Sequence, residues 1–194
     1  VENRSGAGGN LATEAVVRPG AIQAELVRAH LGLLVVEAVY CSLPLALRGE
    51  TVADRVWLAA PMIGTASGQL NGEPLTPGNL LAFGGSAEVA GASGAPLHCG
   101  ILTVAPSALE RIATALGVES RPPGEGEFRV ASVVDRGRLS RAFDLLSHTV
   151  NHHEDAALPS REAGAIERAF LEIAVRSLAG DSSRSSPYQS ARLA

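Results

Sequence analysis

Turn-forming dipeptides recur at short intervals in residues 64–85, and they constrain the fold more than any other feature of the chain. Asn71-Gly72, Pro77-Gly78 and Gly84-Gly85 separate apolar runs of only a few residues. Asn-Gly and Gly-Gly supply positive φ, and proline fixes φ, so each pair favours a tight turn. The segment therefore predicts consecutive short antiparallel strands.

Further strands are predicted on both sides of this segment. Val35, Glu37 and Val39 alternate with Leu34, Val36, Ala38 and Tyr40, and only the first set carries a charge, which is typical of a half-buried strand. Pro44 favours an edge strand that ends in a turn at 48–50. The eight predicted strands are residues 22–30, 33–42, 43–47, 55–62, 65–70, 80–83, 87–90 and 97–104. This spacing predicts a jelly-roll or β-barrel rather than a βαβ fold.

After Ala105 the apolar spacing becomes helical. Ser107 with Glu110 three residues later forms a capping-box pattern, so a helix is predicted over 107–116 with Gly117 closing it. Residues 128–134 predict a last strand or an extended lead-in. Two longer helices follow as a hairpin, one capped by Asp135 and one beginning at 159–160. Each helix has an apolar stripe, which must be covered by the sheet, by the other helix or by a second copy of the chain. The stripes are Leu139, Phe143, Leu146 and Val150 on the first helix and Ile166, Phe170 and Ile173 on the second.

The chain divides by composition into four segments. Residues 1–20 are Gly-rich and polar and predict a flexible N-terminal arm. Residues 21–134 form the roll with its helix at 107–116, and residues 135–180 form the helical hairpin. Residues 181–194 combine a linker with the start of a further helix that we expect to continue beyond Ala194.

Charge and hydropathy exclude two classes of partner. The net charge is −4, so this chain alone offers no basic surface for nucleic acid. No apolar run approaches the roughly 20 residues of a membrane span. The first residues lack a basic start followed by an apolar block, which predicts a cytoplasmic protein. Cys41 and Cys99 could form a disulfide, but a reducing compartment favours buried free thiols.

The order of elements resembles the N-terminal sensory domain of AraC/XylS-type transcription regulators. The resemblance covers about residues 21–180 and lies in Leu70-Asn-Gly-Glu-Pro-Leu-Thr-Pro-Gly-Asn-Leu-Leu-Ala-Phe83, then Val104-Ala-Pro-Ser-Ala-Leu109, then the hairpin. It implies a cupin-like roll that binds a small effector or mediates homodimerisation. It also implies DNA binding only through a C-terminal domain with two helix-turn-helix units, whose first helix would start at 187–194.

Metal ligands of a catalytic cupin are not assembled by this sequence. Such a site needs histidines and a carboxylate from neighbouring strands, but residues 57–72 contain no His, Asp or Glu, and His30 and His98 stand on separate strands. His98 and Cys99 are adjacent in a strand and point to opposite faces. His148 and His152 have i, i+4 spacing without an evident third ligand. We therefore predict no metal, no cofactor and no enzymatic activity.

The roll interior is the remaining candidate for function. Aromatic residues make up only 4% of the chain, so its own side chains are expected to leave a cavity for a small, largely apolar effector. The large strand residues that could line it are Tyr40, Trp57, Met62, Phe83 and His98, and the same residues would serve equally as ordinary core.

The leading hypothesis is a ligand-sensing and dimerisation domain of an AraC-type regulator, with the two helical stripes as the dimer contact. A metal-dependent cupin-like enzyme and a structural dimerisation module without a ligand are the alternatives.

Overall fold

The computed structural model describes residues 11–14, 23–152, 160–180 and 184–185. The expectations for the rest of the N-terminal arm, for a helix starting at 187–194, and for the side chains of Val150 and His152 lie outside the described residues. The elements are β1 (Leu11–Glu14), β2 (Ala24–Leu31), β3 (Leu34–Cys41), β4 (Ala46–Glu50), β5 (Val56–Pro61), β6 (Gly68–Leu70), β7 (Glu73–Pro74), β8 (Asn79–Phe83), β9 (Glu88–Ser93), β10 (Leu97–Val104), α1 (Pro106–Leu116), β11 (Phe128–Ser132), α2 (Arg136–His152), α3 (Ser160–Ala179) and β12 (Arg184–Ser185).

Two antiparallel sheets form the roll. One has the strand order β1-β4-β9-β6-β7, and the other has the order β12-β11-β8-β5-β10-β3-β2. A core of buried side chains from both sheets lies between them. The predicted class, mostly β with a jelly-roll-like arrangement and helices toward the C-terminus, is confirmed.

The seven-stranded sheet is covered on both faces along its central strand. In β5, Val56, Leu58 and Ala60 join a core shared with the helices, while Trp57 and Ala59 join the core between the sheets. Alternate strand residues point to opposite faces, so a strand covered on both sides must be apolar throughout. This explains the continuous apolar run of β5.

The predicted turn at Asn71-Gly72 connects β6 and β7. Both residues have positive φ, 49° and 81°, as a two-residue hairpin turn requires. The Asn71 side-chain amide donates to the Glu88 carbonyl, and its oxygen accepts from the Ala90 N–H, each at 2.7 Å. The turn is thereby bonded to β9.

The helix starts follow local backbone chemistry. The predicted capping box at Ser107 is wrong: the N-cap of α1 is Ala105, no side-chain cap bond forms, and the helix begins at Pro106. Proline has no N–H to leave unsatisfied and its fixed φ suits the first helical position. Gly117 closes α1 with φ 63° as expected. Asp135 caps α2 as expected, because its Oδ1 accepts the Arg138 N–H at 2.8 Å.

Two strand predictions need correction. The strand predicted at 43–47 is β4 at Ala46–Glu50, and it lies between β1 and β9 rather than at an edge. Pro44 has no N–H for a sheet ladder and therefore lies ahead of the strand. Within the predicted arm, Leu11–Glu14 forms β1 and pairs with β4.

Helices α2 and α3 cover the outer face of the seven-stranded sheet. The rings of Phe143 and Phe170 meet at a centroid distance of 4.8 Å. Phe143 also lies directly over Gly100, where an added Cβ would be 2.1 Å from the ring. Within the described part of the chain, no helix is long and apolar enough to span a bilayer.

The described stripe side chains are buried inside one chain by this packing. Their exposed fractions do not exceed 6%, and they share one core with the sheet; they are Leu139, Phe143, Leu146, Ile166, Phe170 and Ile173. The burial leaves these side chains little surface for a second copy, because the sheet and the other helices already cover them.

Candidate functional site

Strand alternation divides the side chains of the seven-stranded sheet into a helix-facing set and a roll-facing set. In β10, Leu102 and Val104 belong to the core shared with the helices, whereas Leu97 belongs to the core between the sheets. Antiparallel partners point to the same face, so the cross-strand register extends this assignment to β3 and β2.

Aromatic side chains fill one end of the roll. The Trp57 and Phe83 ring centroids are 5.2 Å apart in an edge-on arrangement, and Phe83 lies 4.5 Å from Phe128. All three side chains are buried. This end therefore has the character of a packed core, with the offset aromatic geometry that such cores favour.

The other end of the roll-facing surface is only partly covered. Three cross-strand rows run there: Leu26, Val39 and Cys99; Arg28, Glu37 and Ile101; His30, Val35 and Thr103. Their members on β3 and β10 are all half-buried, while Leu26 is 63% exposed. We call the six half-buried row members of β3 and β10, together with Arg28 of β2, the open panel: Arg28, Val35, Glu37, Val39, Cys99, Ile101 and Thr103.

The open panel contains an ion pair in an otherwise mainly apolar surface. Arg28 Nε lies 3.2 Å from Glu37 Oε1, with side-chain exposures of 36% and 18%. Thr103 adds a hydroxyl in the next row, in which Trp57 of β5 is its direct cross-strand partner. Such a surface can hold a small molecule by apolar contact and orient it through one or two polar groups.

Cys99 is the open-panel residue whose pKa departs from its ordinary value. Burial of its thiol raises the pKa of Cys99 to about 12, and a hydrogen bond with the Ala60 backbone acts in the opposite direction. The thiol is therefore protonated at neutral pH and is a poor nucleophile. Cys41 and Cys99 are both free cysteines, as expected.

The structure does not bring the five predicted ligand residues together. Trp57 and Phe83 lie between the sheets, but the alternation in β3 and β10 places Tyr40 and His98 on the opposite, helix-facing side. Their rings contact each other there at 4.6 Å. Met62 packs against the core shared with the helices. The predicted set therefore divides between two faces, because side-chain size alone does not determine the face on which a strand residue lies.

Two cavities lie outside the roll. One of about 40 Å³ lies between the end of β5 and the start of α2, with Met62, Pro77 and Leu139 in its walls. The other, a surface groove of about 280 Å³, lies between α1 and the 121–125 loop and includes Arg55, Glu110 and Arg121. Neither is lined by a residue of the open panel.

A charged cluster holds the 121–127 loop. The Glu127 carboxylate accepts from Arg129 Nε and from the Gly124 N–H, both at 2.6 Å. The hydrogen bond from Arg129 contributes most to lowering the pKa of Glu127. One carboxylate oxygen thus bonds within the loop, and the other bonds to β11. Among the side chains that the structure describes, no three His, Cys, Asp or Glu residues form a group suited to a metal ion.

Sequence reasoning missed the open panel although a signal for it was present. The alternation in the sequence places Val35, Glu37 and Val39 on one face of a strand, and only that face carries a charge. The fully apolar alternate face is the one that the helices cover. The charge of Glu37 is therefore the available signal, but alternation alone does not decide which face stays open, because Val35 and Val39 on the same face are apolar.

The observed class is a jelly-roll-like β fold with helices packed on the outer face of one sheet. No protein-family model matches the sequence, and no curated relative matches it. Among solved structures, the AraC-like transcriptional activator CuxR is similar with a TM-score of 0.58 and 14% identity. The match covers 91% of this chain and 64% of that activator, so the chain spans less than two thirds of its length.

Two further solved structures match with TM-scores under 0.5. ToxT from Vibrio cholerae O395, bound to (E)-4-(8-methylnaphthalen-1-yl)but-3-enoic acid, matches with a TM-score of 0.36 and 9% identity over 84% of this chain and 61% of that one. A Cupin 2 conserved barrel domain protein from Salinispora arenicola CNS-205 matches with a TM-score of 0.33 and 12% identity over 59% and 98%. At these identities the similarity to CuxR establishes the fold alone.

Proposed function

We propose that this chain is the ligand-sensing part of an AraC-type transcription regulator, with the open panel as its effector site. The observation that carries the proposal is the contrast within the roll: aromatic side chains fill one end, while the β2-β3-β10 surface remains half-buried and includes an ion pair. The fold similarity to an AraC-like activator supports the regulatory context.

The chemistry of the panel fits binding better than catalysis. Its carboxylate is paired with Arg28, and its thiol is held protonated by burial. Val35, Val39 and Ile101 offer apolar contact on either side of the ion pair. We therefore expect a small, mainly apolar effector whose anionic or hydroxyl group approaches Arg28 or Thr103.

Binding to the panel is tested with 8-anilinonaphthalene-1-sulfonate, an apolar dye with one anionic group. We expect a saturable rise in its fluorescence with the native chain and loss of that rise in Val39→Trp, whose indole fills the middle of the panel. Ile63→Ala is the matched control, because Ile63 is 84% exposed and lies outside the roll. Dye binding that survives Val39→Trp and disappears in Ile63→Ala would contradict the proposal.

DNA binding and homodimerisation belong to the same proposal. We expect the coding sequence beyond residue 194 to encode two helix-turn-helix units, and a reporter under the full-length regulator to lose its response in Val39→Trp. A stop codon directly after Ala194 would overturn the regulatory assignment. A homodimer would form through residues other than the buried stripe side chains.

A structural module without a ligand is the second candidate. The packed aromatic end favours it, since Trp57, Phe83 and Phe128 already fill that part of the roll. The dye titration separates the two functions: a structural module gives no saturable binding that depends on Val39.

A further inference from the structure

Helix α3 is bonded to the roll at two separate points. The Glu167 carboxylate accepts the Leu33 N–H at 2.7 Å, and the Ser177 hydroxyl accepts the Val134 N–H at 3.2 Å. The two residues are ten positions apart, which corresponds to about 15 Å along the helix. The first bond reaches the turn between β2 and β3, and the second reaches the segment that follows β11.

The β2-β3 turn is shaped to receive the Glu167 carboxylate. Gly32 has φ +55°, and a Cβ added there would lie 2.6 Å from Glu167 Oε2. A side chain at this position would therefore be strained in its backbone and would displace the carboxylate. The absence of a side chain on Gly32 lets Glu167 lie directly against the turn.

The strands joined by this turn carry both the open panel and part of the helix-facing core. Arg28, Glu37 and Val39 project toward the roll, whereas Leu31 and Leu34 are buried in the core shared with the helices. A molecule on the panel would contact one side of β2 and β3, while α3 holds the turn at their end. The hairpin therefore links the proposed ligand surface directly to the helix.

We propose that the contact of Glu167 with the β2-β3 turn is a latch: when a ligand occupies the open panel, this contact changes how α3 packs against the roll. The proposal rests on the sensing function proposed above. A ligand that moves the two strands alters the distance between the Leu33 N–H and the carboxylate, so the latched and released arrangements bind it with different affinities. Ser177 keeps the other end of α3 attached in both arrangements.

Hydrogen exchange of the α3 amides at 166–175 tests the latch without an identified effector. Val39→Trp and saturation of the native chain with anilinonaphthalene sulfonate are two independent ways to occupy the panel. We expect each to change α3 exchange on the order of tenfold, within the usual range of coupling between sites. In the Glu167→Ala background the same treatments should leave α3 exchange unchanged, whereas Glu167→Gln, which keeps an acceptor, should retain part of the response.

Glu172→Ala is the matched control, because Glu172 is another α3 carboxylate but pairs with Arg138 of α2 at 3.0 Å instead of the hairpin. Its α3 amides should still respond to panel occupancy. Equal responses with and without Glu167, or no response to either treatment in the native chain, would overturn the latch. Failure of the dye to bind would count against the sensing function alone, since Val39→Trp still tests the coupling.

Discussion

The two faces of the seven-stranded sheet are built from the same strands but differ in how completely they are covered. On the helix-facing side, Leu58, Val104 and Phe170 are fully buried in one continuous core. On the roll-facing side, Phe83 is fully buried, but Ile101 two strands away and Glu37 three strands away are only half-buried. Coverage is thus nearly complete on the helix-facing side, where Tyr40 and His98 are half-buried, and graded across the roll-facing side.

The difference separates stability from binding within a single sheet. Burial of apolar surface is the main stabilising contribution, so the helix-facing side, which we call the closed face, should dominate the free energy of unfolding. We call the roll-facing side the open face. Half-buried residues contribute less to stability but remain able to contact another molecule. Substitutions on the two faces should therefore alter different measurements.

Phe170→Ala should cause the largest loss of stability. Phe170 is fully buried against Phe143, and removal of a buried Phe side chain costs about 3–5 kcal/mol of unfolding free energy. Urea unfolding followed by circular dichroism measures the loss. Arg168→Ala, an exposed position on the same helix, is the control and should change stability by less than about 0.5 kcal/mol. A weaker self-association with unchanged stability would instead support the stripes as a dimer contact.

Gly100→Ala tests the closed face by adding a methyl group rather than removing a ring. The new Cβ would lie 2.1 Å from the Phe143 ring, so the helix or the ring must move. Overpacking of this kind costs about 1–3 kcal/mol. The cost should largely disappear in the Phe143→Leu background, where the ring is absent. Equal costs of Gly100→Ala in both backgrounds would show that the sheet and α2 are not in tight contact there.

Cys99 should make stability depend on alkaline pH. Its folded-state pKa is raised from 9.0 to about 12, so the folded chain retains a proton that the unfolded chain loses. The contribution is fully present below pH 9 and is lost as the pH rises toward 12, with a slope of about 1.4 kcal/mol per pH unit. Unfolding free energies between pH 8 and pH 10.5, compared with Cys99→Ala, measure this slope. The same slope in both proteins would mean that another group titrates.

The sequence predicts those features of the fold that depend on neighbouring residues better than those that depend on distant ones. The turn at Asn71-Gly72, the strand at 97–104 and the cap at Asp135 follow from local backbone chemistry, and all three are confirmed. The capping box at Ser107 failed because a neighbouring proline offered a better helix start. Turns and helix caps are determined by preferences of residues only a few positions apart, so a failed prediction of this kind has a local cause.

The assignment of strand faces needed information from distant parts of the chain. Both faces of β3 are largely apolar, so alternation alone does not say which one α2 and α3 will cover. The size of Tyr40 predicts that it lines the roll, yet its partner in the register is His98 on the helix-facing side. The candidate site was therefore only partly predictable, because it depends on which helices dock on which face.

Arg28→Met should have the smallest effect on stability and a clear effect on binding. The ion pair with Glu37 is partly exposed, and such pairs contribute about 0–1 kcal/mol. If Arg28 receives the anionic group of a panel ligand, its loss removes a charge-assisted hydrogen bond and should weaken anilinonaphthalene sulfonate binding about tenfold. Arg48→Met is the matched control, since Arg48 is exposed on β4 of the other sheet. A similar loss of affinity in both variants would mean that Arg28 only attracts an anion through its charge. A loss confined to Arg28→Met would show that a residue of the open face controls binding with little effect on stability, which the closed face provides.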